Sequence, residues 1–339
     1  MGAETLTVSV PRQNCSLIDW LAFTFKDVTD PDVALERAGL DSLDFVPSSV
    51  GGLGYKLSKR SGNIVVYYDG NVDMGCHISM TGQGCRQFEA VGKNSDKSNQ
   101  WYTFLHHLRS VGASFSRLDI AIDNVDGALN LSYLKNHIDN KQVRTRFKSG
   151  QHIKGFSFLA DSPKSGETIY LGSNQSRFKV RFYDKAAERG ISGVHWVRCE
   201  LQCMKERAET MIDHLLKAHC DFGSVAASAL NNYFVPIESN STDKRYCNVA
   251  LWWRKWIITT KKLKLTRMKA IKLVPEIIEH IKRQYSTSFA MINKYLSFHE
   301  YTAFTRELIK SGTSRMTKKH QFILESSLLP EPELCSIPF

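Results

Sequence analysis

The sequence predicts an α+β protein: an antiparallel sheet covered by helices, with a smaller helical C-terminal region. Three observations lead there. Short strand-like runs bounded by Gly, Asn and Asp recur between residues 16 and 202. Between them stand segments whose apolar residues repeat at helical spacing. Beyond residue 244 the strand pattern stops and a basic, helix-spaced sequence takes over. The order of elements suggests two similar α+β halves, although no residue-level repeat joins them.

Residues 16–25 read as a buried strand, with Asp19 an odd charge near its start. Residues 30–43 are polar with helical spacing. Gly51-Gly52-Leu53-Gly54-Tyr55 is a turn into a strand, and Ser61-Gly62-Asn63 suits a hairpin before a strand at 64–68. Asp69-Gly70-Asn71 turns again before a strand at 76–80, which Gly82-Gln83-Gly84-Cys85-Arg86 punctuates as a turn. Trp101, Phe104, Leu105 and Leu108 define an amphipathic helix over 101–111. A strand around Asp119 follows, then a helix over 131–140 capped by Asn130. Strands are expected at 156–160, 168–171, 178–183 and 194–202, and a helix at 204–218. The polar stretch 239–244 is the best linker. It separates an expected domain over 15–238 from a basic helical region over 245–325, with helices at 276–285 and 301–310 and a loose tail from Leu328.

At 339 residues, with 42% hydrophobic and 23% charged residues, the chain can bury a full core as one large or two medium domains. Its net charge of +11 favours a polyanionic partner, nucleic acid before membrane. The 8 cysteines form no CxxC pair, which argues for reduced core thiols in a reducing compartment and against zinc. Residues 1–14 lack the pattern of a signal peptide and no run of 18 apolar residues exists, so the expected location is the cytoplasm.

Three segments carry candidate chemistry. Read as strands, 117–123 puts Arg117, Asp119 and Asp123 opposite Leu118, Ile120 and Ile122. Residues 179–185 put Lys179, Arg181, Tyr183 and Lys185 on one face, and 198–202 put Arg198, Glu200 and Gln202 on another. If these strands share a sheet, one face presents carboxylates, cations and a tyrosine. That is the inventory of metal-assisted phosphoryl transfer with a tyrosine nucleophile.

These segments, with residues 18–21, 79–86, 168–173 and 197–201, resemble in order those of the Rep_trans-type replication initiation factors of rolling-circle plasmids, integrative elements and some filamentous phages. The resemblance covers roughly residues 15 to 210, and the Gly-Gln-Gly-Cys form looks most like the phage-borne branch. It implies site-specific nicking of one DNA strand at a replication origin. In that reaction a tyrosine attacks the phosphodiester and stays joined to the 5′ phosphate, and the freed 3′-OH primes synthesis. It implies a divalent metal, Mg²⁺ or Mn²⁺, without the paired-histidine site of other relaxases; no His-x-His occurs here. A homodimer and the host helicase and polymerase are further partners such an initiator suggests.

On this reading Tyr183 is the leading nucleophile, with Lys185 and Arg181 beside it, and Tyr170 is the alternative. A phenol has a pKa near ~10 and needs a cation or metal to act as phenolate. The blander alternative for Tyr183 is a half-buried strand tyrosine. Asp119, Asp123 and Glu200 are the expected metal ligands, of oxygen type that suits Mg²⁺ or Mn²⁺. Asp119 and Asp123 stand roughly 13 Å apart on an extended strand. Either one binds metal with Glu200 while the other orients a basic side chain, or a bulge brings them together. The competing account makes Asp119 a structural ion pair with Arg117 or Arg198. Residues 251–272 hold eight cations and no acid; Arg254, Lys255, Lys261, Lys262, Lys264 and Arg267 are the expected DNA contacts. Trp252, Trp253 and Trp256 suit core packing better than base stacking. The rival function is a non-catalytic DNA-binding regulator with the same fold.

Overall fold

The computed structural model describes residues 10–91, 96–155, 166–260 and 274–316, with 320 and 324. The chain divides into two compact units, Met1–Met268 and Lys269–Phe339. In the first unit, β1 (Cys15–Phe25) leads through α1 (Pro31–Arg37) to a meander of β2 (Val46–Ser48), β3 (Leu57–Ser61), β4 (Ile64–Tyr68) and β5 (Cys76–Thr81), followed by α2 (Gly82–Val91) and α3 (Lys97–Ser110). The pattern then repeats. Strand β6 (Ser114–Asn124) leads through α4 (Leu131–Asp139) and β7 (Val143–Thr145) to β8 (Gly150–Lys154), β9 (Glu167–Leu171) and β10 (Phe178–Asp184). The one-turn α5 (Lys185–Glu188), β11 (Val197–Met204), α6 (Glu206–Lys217), α7 (Phe222–Tyr233), β12 (Phe234–Pro236) and α8 (Leu251–Thr260) complete the unit.

Ten of these strands form one sheet in the order β2-β3-β4-β5-β1-β6-β11-β10-β9-β8, antiparallel at every pairing. Two similar halves are thus visible in topology. Each half starts at the sheet centre, crosses to an edge, meanders back to pair with its own first strand and ends in helices. Short β12 and β7 pair separately.

One face of the sheet carries the core. Leu21, Phe23, Leu118, Ile120, Phe182, Cys199 and Leu201 are buried there with Trp101, Phe104 and Leu105 of α3 and Ile212 and Leu215 of α6. Strand alternation sends the intervening residues of β6, β10 and β11 to the other face. The expected cap is present: the Asn130 side chain accepts from the Ser132 and Tyr133 amides. The seven cysteines among the described residues are free and buried.

Several expectations need correction or limits. Residues 82–86 are not a turn but the start of α2. A Cβ on Gly84 would lie 2.4 Å from the Asn63 carbonyl oxygen, so the glycines there serve close packing of a helix start against the sheet. Lys185 does not continue β10, because Asp184 caps α5 by accepting from the Ala187 amide. The strand expected at 156–160, Lys261, Lys262, Lys264, Arg267 and the tail from Leu328 lie outside the described residues. The first unit also runs past the 239–244 linker. Trp253 and Trp256 of α8 pack on Phe182, each at 6.3 Å between ring centroids, and are buried in the core.

The second unit holds α9 (Val274–Tyr295) and α10 (Phe298–Ser314). Ser297 and Glu300 form a capping box that starts α10. No helix among the described residues is long and apolar enough to cross a membrane.

Candidate active site

Registers in the sheet bring the three chemistry-bearing segments onto one face. Across β10 and β11, Arg181 stands opposite Glu200 and Tyr183 opposite Arg198. Across β11 and β6, Arg198 stands opposite Asp123 and Gln202 opposite Asp119. The fourth contributor is β1. Its register to β6 slips between Ile18–Ile120 and Trp20–Asp119, leaving Asp19 as the extra residue of a β-bulge. A bulge re-aims side chains. Here it lets both Asp19 and Trp20 reach the polar face, where Asp19 meets Arg198 at 3.2 Å and Trp20 carries the Arg117 guanidinium at 3.9 Å. Gly82 makes the space: a Cβ there would lie 2.7 Å from Asp19 Oδ1.

Each carboxylate on this face meets an arginine. Arg117 donates to Asp119 (Nη2–Oδ2 2.6 Å) and Arg181 to Glu200 (Nη2–Oε2 2.6 Å). Arg198 forks onto both oxygens of Asp123, at 2.7 and 2.8 Å. The expected ligands therefore divide. Asp123 is fully buried and has both oxygens committed, so it orients a basic side chain. Asp119 and Glu200 side chains are 2% and 4% exposed, but their arginine partners are 25% and 41% exposed and can turn to solvent. Among the described residues no three His, Cys, Asp or Glu side chains are gathered closely enough to hold a metal ion as they stand.

The electrostatics show crowded negative charge. Burial, with repulsion from Glu200 and Asp19, pushes Asp119 up to about 7 against the pull of Arg117. Burial and Asp19 likewise raise Glu200. Burial acts in the same direction on Asp19, but Arg198, Arg86, Lys185 and Arg181 outweigh it and hold Asp19 below the ordinary range. Arg86 is itself buried. It donates to the Ile18 carbonyl and to Glu89, and two of its nitrogens have no hydrogen-bond partner.

The two tyrosines differ in access. Tyr183 is 5% exposed. Its hydroxyl makes only a long contact, 3.5 Å, to Glu200 Oε2, and burial pushes its phenol well above the ordinary value. Arg181 and Lys185 lie over its ring, at 4.9 and 5.4 Å. Lys185 is buried, paired with Glu188, and lowered by that burial and by repulsion from Arg198. Tyr170 is half-buried on β9, directly opposite Arg181. It lines an open cleft of about 640 Å³ together with Arg117, Lys179, Arg181, Glu200 and Gln202. Sequence reasoning noticed Asp19 but left it out of the site; its charge in an apolar run was the available signal. Of the expected DNA contacts, Arg254 and Lys255 are exposed on α8.

Comparison with known proteins gives the chain a family. The replication initiation factor model (Rep_trans) matches residues 113–309, more than half of the chain. This chain belongs to the replication initiation factor family. A second model, the rolling circle replication initiation protein N-terminal domain, matches residues 15–107, so the two models meet at the boundary between the halves of the sheet. The chain is 32% identical over 253 residues to the "Putative DNA relaxase NicK" of Bacillus subtilis (strain 168), covering 71% of this chain and 70% of that protein. It also resembles the solved rolling circle replication initiator protein from Geobacillus stearothermophilus, with a TM-score of 0.67 and 29% identity over 75% of this chain and 99% of that one. The family is that of the rolling-circle replication initiators, and the α+β fold agrees with it.

Proposed function

We propose that this initiator nicks one strand of origin DNA by attack of a tyrosine on the scissile phosphodiester. The phenolic oxygen forms a bond to phosphorus and the bond from phosphorus to the 3′ oxygen breaks. The chain then carries a 5′-phosphotyrosyl link, and the 3′ oxygen takes up a proton to become the primer hydroxyl. The observation that carries this reading is the open cleft in which Tyr170, Arg117, Arg181 and Glu200 meet.

Access favours Tyr170 over Tyr183. A phosphodiester within DNA is bulky, and Tyr170 faces the cleft with Arg181 across the strand ladder to stabilise its phenolate and the phosphoryl oxygens. Tyr183 has cations over its ring, which favours it as a second reading, but it is buried and its proton is hard to remove. In the preferred reading Tyr183 supports Glu200, which its hydroxyl contacts at 3.5 Å.

The donor set is of oxygen type and fits Mg²⁺ or Mn²⁺. Asp119 and Glu200, with Asp19, repel one another as they stand. They would hold the ion once Arg117 and Arg181 swing to the DNA phosphates, and Asp123 would keep Arg198 in place. The ion would polarise the scissile phosphate and neutralise charge that develops on it.

The test is a covalent adduct on an origin oligonucleotide, mapped by peptide sequencing. Tyr170→Phe should abolish it and keep DNA binding; Tyr183→Phe should reduce it only partly. DNA mapped to Tyr183 would reverse the assignment. Binding with no adduct in any divalent ion would favour the non-catalytic regulator.

A further inference from the structure

A second groove opens on the opposite side of the sheet. Its volume is about 670 Å³ and it runs between α6 and α7. Phe178 and Cys203, which face the core side of β10 and β11, lie at its floor. It is therefore separate from the Tyr170 cleft, which uses the alternate residues of the same strands.

The two walls have complementary chemistry. On α6, Arg207, Thr210, His214 and Lys217 recur at three- and four-residue steps, so they share one helix face. On α7, Ser224, Ser228 and Asn232 repeat every four residues along the facing wall. Arg146, just after β7, also lines the groove, and both it and Arg207 lie over the Tyr233 ring, at 5.6 and 6.0 Å. Among the described residues no Asp or Glu lines the groove.

The pairing pattern is what points to a ligand. The other α6 charges are satisfied: Glu206 pairs with Arg177, and Glu209 and Asp213 share Arg109. Among the described residues, no carboxylate lies within ion-pair reach of Arg146, Arg207, His214 or Lys217. Three cations without a carboxylate partner, Arg146, Arg207 and Lys217, facing a row of hydroxyl and amide groups suit a chain of phosphates. From Arg207 to Lys217 the α6 ridge runs about 15 Å at ~1.5 Å per residue. One DNA strand offers a phosphate every ~3.4 Å along the duplex axis, so the ridge spans roughly four.

We propose that the α6–α7 groove is a second DNA-backbone site, which holds a phosphodiester stretch on the helical side while the Tyr170 cleft acts on the other side. The choice of DNA rests on the family; the groove does not depend on which tyrosine reacts. It would make the chain clamp DNA at two faces of one sheet.

The test measures binding of a labelled duplex of random sequence to the full chain across a salt series. The groove variant combines Arg146→Gln, Arg207→Gln and Lys217→Gln, all at exposed positions, so the fold should survive. Its log-affinity against log-salt slope should flatten by about 2 to 3, at ~0.9 per lost phosphate contact. A control removes equal charge elsewhere, through Lys26→Gln, Lys56→Gln and Arg60→Gln, exposed in the first half of the sheet. An unchanged slope in the groove variant overturns the proposal, and so does an equal flattening in the control. Arg146→Lys with Arg207→Lys should keep most of the slope. Should the wild-type chain form no adduct, the nicking chemistry fails while this binding result stands.

Discussion

Replacing Asp119 by Asn should make the protein's stability less sensitive to pH. Asp119 is buried, and its carboxyl is pushed up to about 7 by that burial and by Glu200 and Asp19. In the unfolded chain it ionises near ~3.9. Between about pH 4 and 7 the folded chain therefore keeps a proton that the unfolded chain has lost. Stability must fall as pH rises through this window and level off above it. The gap is roughly three pH units, and at ~1.4 kcal/mol per unit the loss is at most about 4 kcal/mol. Asn carries no such proton, so the stability of Asp119→Asn relative to wild type should climb with pH by up to that amount. The variant also frees Arg117, but that side chain is 25% exposed and stacked on Trp20, so the offset is small and does not depend on pH in this range. Urea unfolding followed by tryptophan fluorescence, in chelator, from about pH 5 to about pH 8 measures the difference. Parallel curves for the two proteins would refute the reasoning, because they would mean that Asp119 is ionised throughout. A second arm adds Mg²⁺. If Asp119 holds the ion, the wild type should regain stability at high pH and the variant should not.

Other expectations follow from the same face. Arg198→Met strands the fully buried Asp123 and should cost about 3–5 kcal/mol in urea unfolding; a loss under about 1 kcal/mol would mean that Asp123 finds another partner or a proton. Gly82→Ala sets a methyl 2.7 Å from Asp19 Oδ1, so nicking should drop while the melting temperature stays close to wild type; full activity would remove Asp19 from the site. Replacing Lys261, Lys262 and Lys264 with Gln should flatten the salt dependence of duplex binding by ~0.9 per lost contact; an unchanged slope would remove them from the DNA contacts.

The shared face of the candidate residues was legible in the sequence because strand alternation is a rigid rule. Once 117–123, 179–184 and 198–202 are strands of one sheet, the side on which Asp119, Arg181 and Glu200 emerge is determined. What alternation does not reveal is which acid takes which base. Asp123 and Asp119 look equivalent in sequence. Only the register, with Arg198 directly opposite Asp123, consigns one to a buried fork and leaves the other near the cleft. Asp19 was hidden for a different reason: a bulge breaks the two-residue period on which the reading depends. Gly82 and Gly84 read as turn formers because glycine punctuates chains, whereas here they start a helix close to neighbouring backbone and carboxylate. The access of Tyr170, against the burial of Tyr183, depends on the neighbouring edge strands, which no local pattern encodes.

The repeated topology explains why no sequence repeat accompanies it. Both halves need the same backbone course, so both retain a central strand, a meander and closing helices. Their faces away from the helical core differ in chemistry. The second half carries Asp119, Asp123, Arg181, Arg198 and Glu200 on three adjacent strands. The corresponding face of the first half carries Thr24, His77 and Tyr67, with His77 bonded to Thr24 at 2.8 Å and held well below its ordinary pKa, at about 4, by burial. A neutral imidazole with aromatic neighbours is a packing surface, not a phosphate site. The first half instead reaches the chemistry at the seam, where β1 meets β6 and the Asp19 bulge faces Arg198. Two such faces can share the course of the chain while their residues differ. The site therefore needs both halves, and a second half expressed alone should lose the Asp19 carboxylate, the Arg86 charge and the strand that covers Asp119.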